Sequence, residues 1–207
     1  MPTTRMARYG GIAAMIIAAG AVSLPAWGQA AAPTSPAAAH VNAAQSRSFA
    51  GDLAAARQAT AKYSTNLARA KADGYQIITM MMPNMGYHFL NPKISGFDVR
   101  KPQILVYEHV AGRWQLGALE WVFTSVPKHP PLPNATYGFF PAACHYADGT
   151  FIPHADAATC PATAPKTGAK FTFWHPDLIT MHVWVWYPNP DGLYASTNPL
   201  IAPFNKG

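Results

Sequence analysis

The chain has 207 residues, of which 50% are hydrophobic and only 12% are charged, and its formal net charge is +6. The basic residues are scattered along the sequence rather than gathered in a stripe, which argues against a nucleic-acid-binding protein. The chain is long enough to form one domain with a sizeable core.

The N-terminal residues predict export from the cytoplasm. Arg5 and Arg8 precede an apolar run over residues 10–24, and the small residues that follow offer a cleavage site for signal peptidase. Residues 1–28 are therefore predicted to be a signal peptide, and residues 29–47, which are rich in alanine, a disordered linker. No later segment is suited to span a membrane. We expect a secreted or periplasmic protein without a stable membrane anchor.

Residues 48–207 are predicted to form a single globular domain of the α+β class. Apolar residues at three- and four-residue steps predict one long N-terminal helix that begins at Ser48 and ends at Gly74. Runs of β-branched and aromatic residues predict strands at residues 75–82, 103–110, 113–123, 137–140, 170–174 and 182–187. Ala111-Gly112 is the predicted turn of a hairpin. We expect a mostly antiparallel β-sheet that can curl into a barrel-like form, with a long insertion at residues 141–169.

The candidate functional residues are polar groups inside apolar strands. Glu108 and Glu120 are the only glutamates in the sequence, and both lie in such strands. A carboxylate there is costly unless it is paired, protonated or bound to a cation. The hairpin turn between the two glutamates predicts that they are near neighbours. With His88 and His182 they form a set of ligands that one Zn, Mn, Fe or Cu ion accepts.

Three interpretations of these residues are open at the level of the sequence. In the first, a mononuclear metal site opens onto an apolar pocket that binds a small organic ligand or acts on it. The aromatic residues predicted to line this pocket are Tyr87, Trp184 and Trp186. In the second, the histidines and glutamates form a buried polar network in a non-enzymatic binding or structural protein. In the third, residues 80–82 and Met85 join the histidines in a periplasmic copper-binding protein, because thioethers and imidazoles suit Cu(I).

Cys144 and Cys160 are the only cysteines. In an exported chain they predict a disulfide, which would stabilise the fold by about 3 kcal/mol. The alternative is a zinc site formed with His145 and His154, which requires both thiols to be reduced.

Several short motifs follow one another along the predicted domain. They are M-G-Y-H-F-L-N-P at residues 85–92, L-V-Y-E at 105–108, L-E-W-V at 119–122, and H-V-W-V-W-Y-P-N-P-D-G at 182–192. In this order they resemble a family of exported bacterial hypothetical proteins that share M-G-x-H-[FY]-x-N-P, L-x-Y-E and H-x-W-x-W-x-x-N-P-x-G. The resemblance covers residues 55–200 and implies that all four candidate metal ligands lie in shared blocks. It implies no particular activity, and the cysteine-bearing insertion and the triple methionine depart from its pattern.

Overall fold

The computed structural model describes residues 36–153 and 156–204, with side chains from residue 48 onward within these ranges. The predicted signal peptide lies outside the described residues. The boundary between the predicted linker and the domain stays a prediction. No helix in the described ranges is both long enough and apolar enough to cross a membrane.

The N-terminal part of the domain is helical but interrupted. Its elements are α1 (Pro36–Thr60), a 3-10 helix (Ala61–Tyr63) and α2 (Leu67–Ala72). The interruption is fixed from two sides, because the Ser64 carbonyl accepts a hydrogen bond from the backbone of Leu116 in the sheet and the Asn66 side chain caps α2. The prediction of one long helix is therefore wrong. Gly74 does end the helical region, with the positive φ of 104° expected there.

A six-stranded antiparallel sheet forms the centre of the domain. Its strands are β1 (Gln76–Met82), β2 (Gly86–Leu90), β3 (Ile104–Val110), β4 (Arg113–Phe123), β5 (Gly138–Phe140) and β9 (Leu178–Val183). Their order is β1-β2-β3-β4-β9-β5, and the sheet curls into a half-barrel. At the tip of the β3–β4 hairpin, Ala111 and Gly112 both have positive φ, 48° and 75°, as a type I′ turn requires. The predicted antiparallel sheet is confirmed.

The predicted insertion contains strands of its own. Its strands β6 (Ala143–Tyr146) and β7 (Phe151–Pro153) form a three-stranded sheet with β8 (Phe171–His175), which follows the insertion, in the order β7-β6-β8. This small sheet is tied to the edge of the central one, because the His145 imidazole Nδ1 donates a hydrogen bond of 2.8 Å to the carbonyl of Ile78. The insertion therefore packs beside β1 as a folded unit.

The predicted disulfide between Cys144 and Cys160 is present. It joins β6 to the loop before β8 and packs with Tyr146 and Ala164 in a small apolar cluster. Both sulfurs are used in the bond, so they offer no thiolate to the alternative zinc site. His154, the other histidine of that alternative, lies outside the described residues.

The two faces of the central sheet bury different kinds of side chain. One face packs its apolar residues, among them Leu105, Leu119 and Met181, against the helices. The opposite face carries a smaller apolar cluster that includes Ile104, Val106, Ala118 and Trp184. Because strand side chains alternate between faces, the buried His88, Glu120 and His182 belong to this second face.

The last strand ends earlier than the sequence predicts. β9 stops at Val183, and the backbone of Trp184 turns away to donate to the Leu193 carbonyl. The amides of Trp186 and Tyr187 both donate to the Gly117 carbonyl. The predicted strand over 182–187 is therefore wrong from Trp184 onward, because these amides bond to Leu193 and to Gly117 of β4 instead of continuing the ladder.

Candidate metal centre

Three strands bring His88, Glu120 and His182 together. Glu120 on β4 and His182 on β9 are direct cross-strand partners. His88 is on β2, which is separated from β4 by β3, so its backbone lies about 10 Å from that of β4 at the usual strand spacing. The two side chains meet over β3, and one ligand atom from each of the three residues lies within 4.8 Å of the others.

The distances within this group are too long for hydrogen bonds and suit a shared ion. Glu120 Oε2 lies 3.6 Å from His88 Nε2 and 3.6 Å from His182 Nε2, whereas N–H···O hydrogen bonds measure about 2.7–3.2 Å. Two ligand atoms about 2.1 Å from a tetrahedral ion are about 3.4 Å apart. The spacing is thus close to that of ligands around one metal ion.

Burial holds all three groups neutral in the absence of a cation. Desolvation raises the pKa of Glu120 to about 8 and lowers the pKa of His182 to about 4. Desolvation, with a smaller contribution from His182, also lowers the pKa of His88 to about 3. At neutral pH the group then consists of a protonated carboxyl and two neutral imidazoles, so the 3.6 Å contacts are not ion pairs. A divalent cation bound here would favour the ionised form of Glu120 and balance its negative charge.

A hydroxyl from the neighbouring strand orients His88. Thr79 Oγ1 on β1 lies 2.7 Å from His88 Nδ1 and accepts a hydrogen bond from the His88 backbone amide. When Nδ1 carries the proton of the side-chain bond, Nε2 presents its lone pair to Glu120, as a metal ligand must. Thr79 was not among the predicted site residues, although it is the only polar residue in the run Ile77–Met82.

The group lies in the wall of a cavity of about 90 Å³. The described lining combines apolar side chains, hydroxyls and thioethers, and it includes Phe139, Phe140, Thr180, Ser196, Met82 and Met85. The Phe139 side chain is 63% exposed, so it stands where the cavity meets solvent. The cavity is smaller than the cavities of about 150 Å³ that hold benzene, which limits any ligand to a few non-hydrogen atoms.

Glu108 is not part of this group. In the β3–β4 ladder Glu108 faces Gln115, and Glu120 faces Ile104. Glu120 therefore faces a position four residues before Glu108 on β3, which is about 13 Å away along the strand. A two-residue turn already places Val110 opposite Arg113 and hence Glu108 opposite Gln115. The prediction that the glutamates are near neighbours is wrong.

The three predicted aromatic residues lie outside the cavity lining. Tyr87 packs edge-on against Trp114, on the helix side of the sheet. The Trp186 indole donates to Thr60 Oγ1 and lies under the Arg57 guanidinium. Trp184 stacks beside His182, with ring centres 6.3 Å apart, so it supports the site from behind. The described cavity lining comes instead from other residues of all six strands of the central sheet, with Met85 and Ser196 from loops.

Comparison with known proteins does not identify a family for this chain. No protein-family model, no curated protein and no solved structure matches the chain. The family resemblance therefore stays a prediction, and the function has to be inferred from the site itself.

Replacing Gly86 with alanine is expected to lower the free energy of unfolding by about 2–4 kcal/mol. Gly86 starts β2 with a φ of 110°, and a Cβ there would lie 2.5 Å from the Tyr107 carbonyl oxygen on β3. β2 would have to move, and His88 with it. Chemical denaturation measures the change. Gly112→Ala is the control, because Gly112 also has positive φ but has nothing within 4 Å, and we expect a cost of about 1 kcal/mol. Equal costs would refute the packing argument.

Proposed function

We propose that this protein is an extracytoplasmic metal-binding protein that holds one divalent transition-metal ion between His88, Glu120 and His182. The observation that carries the proposal is the spacing of three buried ligand atoms, 3.6 Å from each imidazole Nε2 to one carboxylate oxygen. Two imidazoles and one carboxylate suit Zn, Mn, Fe or Cu. The disulfide and the predicted signal peptide support a periplasmic or secreted location.

The proposed ion has room for a further ligand beside it. Three protein ligands leave at least one coordination position, and the cavity of about 90 Å³ adjoins all three residues. Such a position lets a bound metal act as a Lewis acid or redox centre on a small molecule. The apolar wall at Phe139 and Phe140 and the hydroxyls of Thr180 and Ser196 favour a compact ligand with one polar group.

A hydrogen-bonded network without metal, the second interpretation of the sequence, is less well supported. Such a network needs donor–acceptor distances of about 2.7–3.2 Å, and the two Glu120–histidine contacts measure 3.6 Å. His182 Nε2 and Glu120 Oε2 have no hydrogen-bond partner among the described residues. Leaving such atoms without partners is costly, and a bound ion would satisfy them.

The test is elemental analysis of the mature protein, prepared without chelator and reconstituted separately with Zn, Mn, Fe and Cu. We expect close to one equivalent of the preferred metal in the wild type and trace amounts in His88→Ala/His182→Ala, with circular dichroism confirming that the variant is folded. The matched control, His109→Ala/His129→Ala, removes two histidines outside the group and should keep its metal. Trace metal in all three proteins would reject the proposal.

Copper binding is a second candidate function, because two methionine thioethers lie in the cavity lining. Met82 and Met85 line the same cavity as His88 and His182, and thioethers with imidazoles suit Cu(I). Met80 is 50% exposed and is not in the described lining. Selective uptake of Cu(I), lost in Met82→Leu/Met85→Leu, would favour this candidate. Retention of every metal in that variant would leave the histidine–carboxylate site as the metal centre.

A further inference from the structure

Glu108 is a second buried carboxyl, and nothing in the described part of the chain compensates it. The residue is 2% exposed, and neither carboxylate oxygen has a hydrogen-bond partner. Its cross-strand neighbour Gln115 donates its side-chain amide to the Leu116 carbonyl instead. None of the ion pairs among the described residues includes Glu108. A carboxyl in this position is costly unless something else binds it.

This carboxyl lies at the floor of an open groove beside the β3–β4 hairpin, with a volume of about 670 Å³. The groove has aromatic walls, formed by Trp114, Tyr187 and Phe204. The rings of Tyr187 and Phe204 meet edge to face, with centres 6.3 Å apart. Arg113 is the other charged residue in the described lining, and it lies at the exposed rim next to the turn. The groove therefore combines a deep carboxyl group with aromatic surface.

The backbone makes specific room for the Glu108 side chain. Gly117 sits at the irregularity of β4, where the register with β3 shifts. A Cβ at this position would lie 2.8 Å from Glu108 Oε1 and 3.3 Å from the Trp184 ring. The absence of a side chain at Gly117 thus lets the carboxyl occupy its place beneath the groove.

We propose that this groove binds a small organic cation, whose ammonium group donates hydrogen bonds to Glu108 and whose carbon skeleton packs against Tyr187 and Phe204. An ammonium supplies both the charge and the donors that the carboxyl lacks. Aromatic faces attract such cations further. Burial raises the pKa of Glu108 to about 7, and a bound cation would favour the ionised form. This site is distinct from the proposed metal centre, because Glu120 faces Ile104, which is four positions before Glu108 on β3.

The test is calorimetric titration of the folded mature protein with benzylammonium, beside benzyl alcohol and benzoate as neutral and anionic analogues. We expect saturable binding of benzylammonium to the wild type and binding at least about tenfold weaker for both analogues. Glu108→Gln should weaken benzylammonium binding at least about tenfold. The matched control is Asp98→Asn, which makes the same carboxyl-to-amide change at a residue outside the groove lining and should leave the affinity unchanged.

Two results would overturn the proposal. One is no saturable binding of benzylammonium up to about 10 mM, an affinity too weak for a built site. Another is equal affinity of the wild type and Glu108→Gln, or of benzylammonium and benzyl alcohol. The analogue comparison uses the wild type alone, so it holds even if a variant folds poorly.

Discussion

Saturating metal is expected to raise the midpoint of thermal unfolding of the wild type by about 10 °C, and that of Glu120→Gln by about 2 °C or less. A ligand that binds only the folded state stabilises it by about 4 kcal/mol at a thousand times its Kd. For a domain of this size, 1 kcal/mol moves the midpoint by about 2–4 °C. Glu120 supplies the one carboxylate of the group, so its neutral analogue loses most of the metal affinity.

Scanning calorimetry of chelator-treated and metal-loaded samples measures this difference. Glu108→Gln is the matched control, because Glu108 lies outside the metal group and the substitution is the same. We expect the control to keep the full metal-dependent shift. A metal-dependent shift that is equally large in Glu120→Gln would remove Glu120 from the site. No shift in any of the proteins would favour a binding or structural protein without metal.

The metal-free protein is expected to lose stability as the pH rises from about 4.5 to about 8. The pKa of Glu120 is raised to about 8 in the folded protein, while the unfolded chain releases this proton near its ordinary pKa of about 4.3. Between these values the unfolded state binds fewer protons than the folded state, so the free energy of unfolding falls with rising pH. At neutral pH the loss amounts to about 3 kcal/mol. Glu120→Gln should remove this contribution, keep the smaller one from Glu108, whose pKa is raised to about 7, and be more stable than the wild type when both are metal-free.

His88 and His182 lower the stability of the metal-free protein at acidic pH. Their pKa values are lowered to about 3 and about 4 in the folded protein, so the unfolded state binds more protons below about pH 6.5 and stability falls as the pH drops. The metal-free wild type should therefore be most stable at about pH 5–6. Urea titrations over the pH range, with chelator present, measure this optimum. A wild-type profile that coincides with that of Glu120→Gln above pH 5 would contradict the assigned burial of the carboxyl.

Together the two experiments separate function from stability. A buried carboxyl and two buried imidazoles destabilise the metal-free fold, and an apolar replacement of similar size would pack better. Binding of an ion would recover this loss of folding free energy, which would explain why three titratable groups are buried together. The proposed metal centre thus accounts for a feature that the core packing does not require.

The sequence by itself determined much of the framework. The β-branched and aromatic runs located β3 and β4, and the Ala111-Gly112 turn joined them. The two cysteines predicted the disulfide, because a chain that is predicted to be exported and has one pair of thiols has one way to pair them. His88, Glu120 and His182 were identified as unusual because a titratable side chain in an apolar strand has to be compensated. All these inferences rest on local pattern and on the cost of burial.

Tertiary structure decided which of these residues meet. Alternation along a strand predicts the face of the sheet on which a side chain lies. It does not predict which residues of the neighbouring strands lie beside that side chain, because this depends on the register. The register of the β3–β4 ladder placed Glu120 beside His182 and left Glu108 in another groove. The break between α1 and α2 and the end of β9 depend on hydrogen bonds to β4, whose partners are distant in sequence. The identity of the site residues was thus a property of local sequence, and their grouping was a property of strand register.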